Sequence, residues 1–122
     1  MTSLTKGQAE DEFTKAIVRF EKEYLGRGPL DARTFFIKDM ILVRLQGVLT
    51  PAEQKLVETS EGRSLIKETR RQLFETSRPL LAEIVASVTG SQLVSLHSVM
   101  STRTGERIIV FTLSDDLDKR FR

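Results

Sequence analysis

Apolar residues near the start of the chain recur at helical spacing. Ala9, Phe13, Ala16, Ile17, Phe20 and Tyr24 follow steps of three and four, while Glu10, Asp11, Lys15, Arg19, Lys22 and Glu23 occupy the remaining surface. This period predicts an amphipathic helix over residues 8–25, after a loose arm at residues 1–7. Gly26 is a natural C-cap, and "GRGPL", with Gly28 and Pro29, stops the helix. The pattern then changes. Residues 34–37 and 40–45 are dense in aromatic, branched and large apolar side chains, with Lys38-Asp39 between them. That predicts two antiparallel strands joined by a tight turn, whose type is open because it lacks glycine.

"GVLTPAEQKL" marks the passage from strand to helix. Thr50 is a good N-cap, Pro51 suits the first helical position, and Glu53 stands where a capping box needs a carboxylate. "ETSEGR" interrupts this helix, and Ser60 is placed to cap the next one, which runs to about residue 89. Leu65, Ile66, Thr69, Leu73, Leu80, Leu81, Ile84, Val85 and Val88 form its stripe. Pro79 predicts a kink or break at residues 77–79, because proline removes a backbone donor and crowds the preceding turn. Gly90 closes the element. "QLVSLHSVMST" and "RIIVFTLS" flank "RTGE", where Gly105 supplies a turn residue of positive φ. The final "DDLDKRFR", residues 115–122, reads as a charged tail that frays.

The order is therefore α-β-β-α-α-β-β, an α+β domain with a mainly antiparallel sheet packed with helices. A strand with one wet face alternates polar and apolar residues. "FFI", "MILV" and "IIVF" do not alternate, which predicts that both faces of the sheet are covered. A small chain makes little core of its own, so a second copy is the expected cover and a homodimer the expected state.

Composition narrows the picture further. The 122 residues fit one domain, 1–122. A pI of 9.2 reflects only a small excess, 19 Lys and Arg against 17 Asp and Glu, rather than the dense basic stripe of a dedicated DNA binder. The chain has no cysteine, so disulfides, thiolate metal sites and cysteine nucleophiles are excluded. No apolar run reaches the roughly 18 residues of a membrane span, and "MTSLTKGQAEDEF" lacks a signal-peptide apolar region. A cytoplasmic protein is expected.

Candidate chemistry is sparse. His97, the one histidine, lies in a predicted strand near Ser95, Ser98 and Ser101, with Ser95 and Ser101 on its own face and Ser98 on the other. Serine catalysis also needs an orienting acid and an oxyanion hole, and neither is legible. Ser95 and His97 are therefore read as a polar strand site, with no catalytic residue, metal ligand or cofactor predicted. "GRGP" lacks the longer glycine pattern and lysine of a P-loop and follows a helix instead of opening one. Arg63, Lys67, Arg70 and Arg71 are spaced to share one helical face, with Arg78 beyond them. Glu68 and Glu75 intervene, so a solvated mixed face is the ordinary reading, and contact with RNA, an anionic lipid surface or an acidic partner the functional one.

The ordered set "GRGP", "DMILVRLQGVLTPAEQKLVETSEGRSLIKETRRQL", "RPLLAEIVASVTG" and "LHSVMSTRTGERIIVFTL" resembles the MpsC-like, or YbcI-like, family of small bacterial proteins over roughly residues 10–113. No single motif is specific; the joint order carries the likeness. The family name implies a part in a Na+-translocating system that generates membrane potential, linked in some bacteria with inorganic-carbon uptake. A chain with no transmembrane segment could not conduct the ion. The resemblance thus implies a non-enzymatic accessory or regulatory protein, with membrane transporter subunits met at the cytoplasmic face. An RNA- or anion-binding module using the basic helix face is the alternative.

Overall fold

The computed structural model describes residues 4–122. The first helix, α1 (Lys6–Leu25), buries Ala9, Phe13, Ile17 and Phe20 along the predicted stripe. It begins at Lys6 because Thr5 and Gln8 form a capping box: the Thr5 hydroxyl accepts from the Gln8 amide at 3.2 Å, and the Gln8 side chain accepts from the Thr5 amide at 2.9 Å. The Lys6 amide donates to the Arg122 carbonyl at 2.7 Å. The expected loose arm therefore ends before Thr5, and residues 1–3 lie outside the described part. Gly26 closes α1 at φ 95°.

Four strands follow in two hairpins, β1 (Asp31–Ile37) with β2 (Met40–Gln46) and β3 (Leu93–Ser101) with β4 (Glu106–Leu113). They form one antiparallel sheet in the order β1-β2-β4-β3. The helices between the hairpins are α2 (Pro51–Leu56), α3 (Ser60–Thr76) and α4 (Arg78–Thr89). The predicted break at Pro79 is present: α3 ends at Thr76, Ser77 intervenes, and Pro79 occupies the first turn of α4, where its missing donor costs nothing. Gly90 ends α4 in a left-handed conformation at φ 72°, and Gly105 turns the second hairpin at φ 73°.

Phe36, Ile41, Val43, Leu45, Ile109 and Phe111 are buried on one face of the sheet, under Phe13 and Ile17 of α1, Phe74 of α3, and Leu81 and Val85 of α4. Phe13 meets the rings of Phe36 and Phe111 edge-on, at centroid distances of 6.3 and 5.2 Å, a preferred aromatic geometry.

Three expectations need correction. Thr59, rather than Ser60, caps α3, its hydroxyl accepting from the Gly62 amide at 3.0 Å. The buried stripe of α3 is Gly62, Ile66, Arg70 and Phe74, whereas Leu65 and Leu73 are exposed. The tail does not fray, because apolar burial and backbone pairing outweigh its charge. It contains α5 (Leu117–Arg120), Leu117 is fully buried, and Phe121 packs on Phe36 with centroids 5.7 Å apart. The tail also braces the glycine-free first turn. Lys38 there adopts φ 56°, uncommon for a residue with a side chain. Its carbonyl accepts from the Leu117 amide at 2.6 Å, and its amide donates to Asp118 at 3.3 Å.

The strands alternate in burial even where their sequences do not. Phe36 is 1% exposed, while its neighbours Phe35 and Ile37 are each 43% exposed. The helices cover one face of the sheet, and none of the described residues covers the second face.

Candidate functional site

Four charged side chains from four elements meet beneath α3. Glu53, in the first turn of α2, keeps its capping-box role: it accepts from the Thr50 amide at 2.9 Å while Thr50 Oγ1 accepts from the Glu53 amide at 3.2 Å. The same carboxylate receives Arg70 from α3, with Nε to Oε2 at 2.9 Å and Nη2 to Oε1 at 2.6 Å. Arg70 Nη2 also donates to the Val48 carbonyl at 3.0 Å. Burial pushes the Glu53 carboxyl up, but the Arg70 and Thr50 hydrogen bonds outweigh it, and its pKa falls below the ordinary value.

The second pair is arranged differently. Arg107 of β4 and Glu21 of α1 are 2% and 1% exposed, and their closest charged atoms, Nη1 and Oε2, are 4.0 Å apart. Both atoms lack a hydrogen-bond partner. Burial raises the Glu21 pKa, and the opposing pull of Arg107 and then Arg70 does not cancel it. Burial likewise lowers that of Arg107 against the attraction of Glu21. Desolvation thus outweighs attraction where the pair is not joined by a hydrogen bond. Arg107 is held instead by Ser98 Oγ, which accepts from its Nε at 3.0 Å, and by the Phe74 ring, 4.7 Å below its guanidinium carbon.

Above this cluster, α3 and the edge strand β3 enclose a cleft of about 500 Å³. Lys67, Arg70, Arg71, Arg78 and Arg107 line it against one carboxylate, Glu75, and Phe74, Leu96 and Met100 supply apolar wall. The predicted basic face is therefore divided. Lys67 and Arg71 reach the cleft from the exposed side of α3. Arg70 reaches it from beneath, only 4% exposed, so its expected place on a solvated face is corrected. Arg63 turns away and donates to the Val57 carbonyl at 3.1 Å. Arg71 is held by Glu68 at 2.7 Å and Glu75 at 3.2 Å.

Sequence spacing missed Glu21, Arg107 and Phe74, and it set Ser98 on the face opposite His97 without its partner Arg107. The signal was present: Glu21 continues the 9–13–17 stripe of α1, Arg107 shares the inward parity of Ile109 and Phe111, and Arg70 and Phe74 continue from Gly62 and Ile66. A charged residue at a core position of a regular period marks a buried site.

Ser95 and His97 lie on the same face of β3. The Ser95 hydroxyl is hydrogen-bonded to Thr112 Oγ1, while His97 is exposed opposite Val110. "GRGP" ends α1 as expected, and Arg27 Nη2 donates to the carbonyls of Gly47 at 2.8 Å and Leu49 at 3.0 Å, tying the helix stop to the entrance of α2. Among the described residues, no group of three or more His, Cys, Asp or Glu could hold a metal ion.

The uncovered sheet face carries three cross-strand rows. They run Phe35, Leu42, Val110 and His97; Ile37, Met40, Thr112 and Ser95; and Arg33, Arg44, Ile108 and Val99. Most of these side chains are apolar, and Val99 is 65% exposed. Arg44 is paired with Glu106 at 2.7 Å. No helix of the described residues is long and apolar enough to cross a membrane.

A four-stranded antiparallel sheet, helices on one face and a charged cluster beneath α3 define the class of domain. The chain belongs to the family described as "Na+-translocating membrane potential-generating system (MpsC)", whose model matches residues 5–115. It is 44% identical over 115 residues to the "Uncharacterized protein YbcI" of Bacillus subtilis (strain 168), covering 94% of this chain and 93% of that protein. It is also 28% identical over 113 residues to the "Uncharacterized protein YrhF" of the same organism, covering 89% and 90%. No solved structure matches.

Proposed function

We propose that this chain is a non-enzymatic accessory or regulatory module that pairs with a second copy of itself through the open sheet face. It serves the Na+-translocating system for which its family is named, meeting membrane subunits from the cytoplasmic side. The observation that carries the reading is the set of three cross-strand rows, seven of their twelve side chains apolar, on a face that none of the described helices covers. Four strands about 4.8 Å apart and some seven residues long offer about 400 Å² in plan. Corrugation by side chains raises the accessible area toward the lower end of stable interfaces, about 1,200 Å² in total over two partners. A second copy is the occupant that matches such a face in shape and composition, by two-fold symmetry. The family description supports the system served, and the engagement of Ser95 by Thr112 rather than His97 supports a non-enzymatic role.

Sedimentation velocity across the micromolar range tests the pairing. Wild type is expected as a dimer. Leu42→Glu and Val110→Glu, which place charge on the open face, are expected as folded monomers by circular dichroism. A wild type that stays monomeric throughout overturns the pairing. Affinity capture from solubilised host membranes tests the system served: subunits of a Na+-translocating complex are expected, and their absence overturns that part.

A further inference from the structure

The cleft between α3 and β3 has the chemistry of a ligand site independent of the open sheet face. Its floor holds two guanidinium groups that are nine-tenths buried or more. Arg70 and Arg107 are 4% and 2% exposed, and each leaves Nη1 without a hydrogen-bond partner. Arg107 Nη1 faces the Glu21 carboxylate at 4.0 Å, and buried donors are nearly always satisfied in native proteins, so Arg70 Nη1 is the floor donor that calls for an acceptor.

The charges around the cleft do not balance. Glu53 answers Arg70, Glu21 faces Arg107, and Glu68 and Glu75 hold Arg71. Lys67 and Arg78 stand at the rim without a carboxylate within 4.0 Å among the described residues, although Arg78 Nη2 donates to the Val94 carbonyl at 3.3 Å. Five cations thus face four carboxylates, an excess of one positive charge, and the two cations without a carboxylate stand at the rim above the buried guanidinium groups of the floor. Beside them, Phe74, Leu96 and Met100 form an apolar wall. An apolar wall beside convergent charged groups suits a small molecule with a charged head, and about 500 Å³ lies within the usual range of size for such a site.

We propose that this cleft binds a small organic oxyanion, with a carboxylate or phosphate head between Lys67, Arg78 and the floor guanidinium groups and an apolar body against Phe74, Leu96 and Met100. The arrangement favours a small molecule over RNA. The floor guanidinium groups lie beneath the surface, out of reach of a duplex or single-strand backbone, and Arg71 is already engaged by two carboxylates. A polyanion would need a row of free cations instead.

Phenyl phosphate and benzoate are the probes, with inorganic phosphate as the head alone and an oligouridine RNA as the polyanion. Binding is followed by calorimetry and by methyl NMR of Leu96 and Met100. Phenyl phosphate or benzoate is expected to bind with a Kd of about 1 mM or tighter, to shift those methyl signals, and to bind better than inorganic phosphate. Lys67→Ala with Arg78→Ala, both at exposed positions, is expected to keep the fold and weaken binding by about tenfold or more. Arg107→Gln is expected to weaken it further; should that variant not fold, the rim pair carries the test. Phenyl phosphate stronger than benzoate points to a phosphate head, and the reverse to a carboxylate; either supports the oxyanion site. Three results overturn the proposal: no binding by either organic probe, binding unaffected by the rim variants, or RNA binding that leaves the methyl signals unmoved.

Discussion

Arg70 reaches back to Glu53, 17 residues earlier, and closes two hydrogen bonds of 2.9 and 2.6 Å on a carboxylate that is already the capping partner of Thr50. One side chain thus finishes the start of α2 and fastens α3 to it. The local capping box and the long-range ion pair share Glu53 Oε1, so damage to either is felt at both.

Arg70→Ala should therefore be far more costly than an exposed arginine replacement. It strands the Glu53 carboxylate and the Val48 carbonyl, for an expected loss of about 3–5 kcal/mol. Thr50→Ala removes only the cap hydroxyl and should cost about 1 kcal/mol. Urea unfolding followed by circular dichroism checks both, with Arg63→Ala as the exposed control.

Glu53 and Glu21 should give opposite pH responses. Hydrogen bonds hold the folded pKa of Glu53 below its ordinary 4.5. Its contribution to stability is thus present above that value and lost as pH falls through the folded pKa. Burial raises the Glu21 pKa above 4.5. The folded state then holds that proton more tightly than the unfolded chain, and stability declines as pH rises from about 4.5 through the raised value. Relative to wild type, Glu21→Gln should become progressively more stable between acid and neutral pH, whatever its constant offset. Denaturant midpoints measured across that range read the slope directly.

Gly62 is fixed by contact. A Cβ built there would stand 1.7 Å from the Leu56 carbonyl oxygen, a backbone atom that cannot rotate aside. Gly62→Ala should lose about 2–3 kcal/mol despite alanine's better helix propensity, because α2 and α3 must separate. Thermal unfolding of this variant against Ser64→Ala, on the exposed side of the same turn, isolates the contact.

Leu117 anchors a segment that looks polar. It is fully buried, and its amide meets the Lys38 carbonyl at 2.6 Å. Leu117→Ala should cost about 3 kcal/mol through the cavity it leaves. It should also increase hydrogen exchange at the 38–39 turn, and unchanged exchange there would disprove the bracing role.

Much of the fold was legible locally. The stripe of α1, the Thr50–Glu53 capping box, the stop at Gly26 and the break at Pro79 rest on interactions within a few residues, which adjacent letters record. The tail was misread because one leucine and one phenylalanine among six charged residues look like solvent-exposed sequence. Only the position of Phe36 and the first hairpin turn makes them core.

The candidate site was half legible for the same reason. Lys67, Arg70 and Arg71 stood out as charge, and the family likeness followed from the order of short motifs. Helical period and residue type determine which elements form and where they end, since those depend on neighbours along the chain. Which side of α3 faces the sheet, that Arg70 turns inward while Arg71 turns out, and that Glu21 and Arg107 meet across α1 and β4 were decided by packing. So was the sheet face left open. Burial and electrostatic pairing depend on distance in space, and the residues involved lie too far apart in the chain for any local pattern to join them.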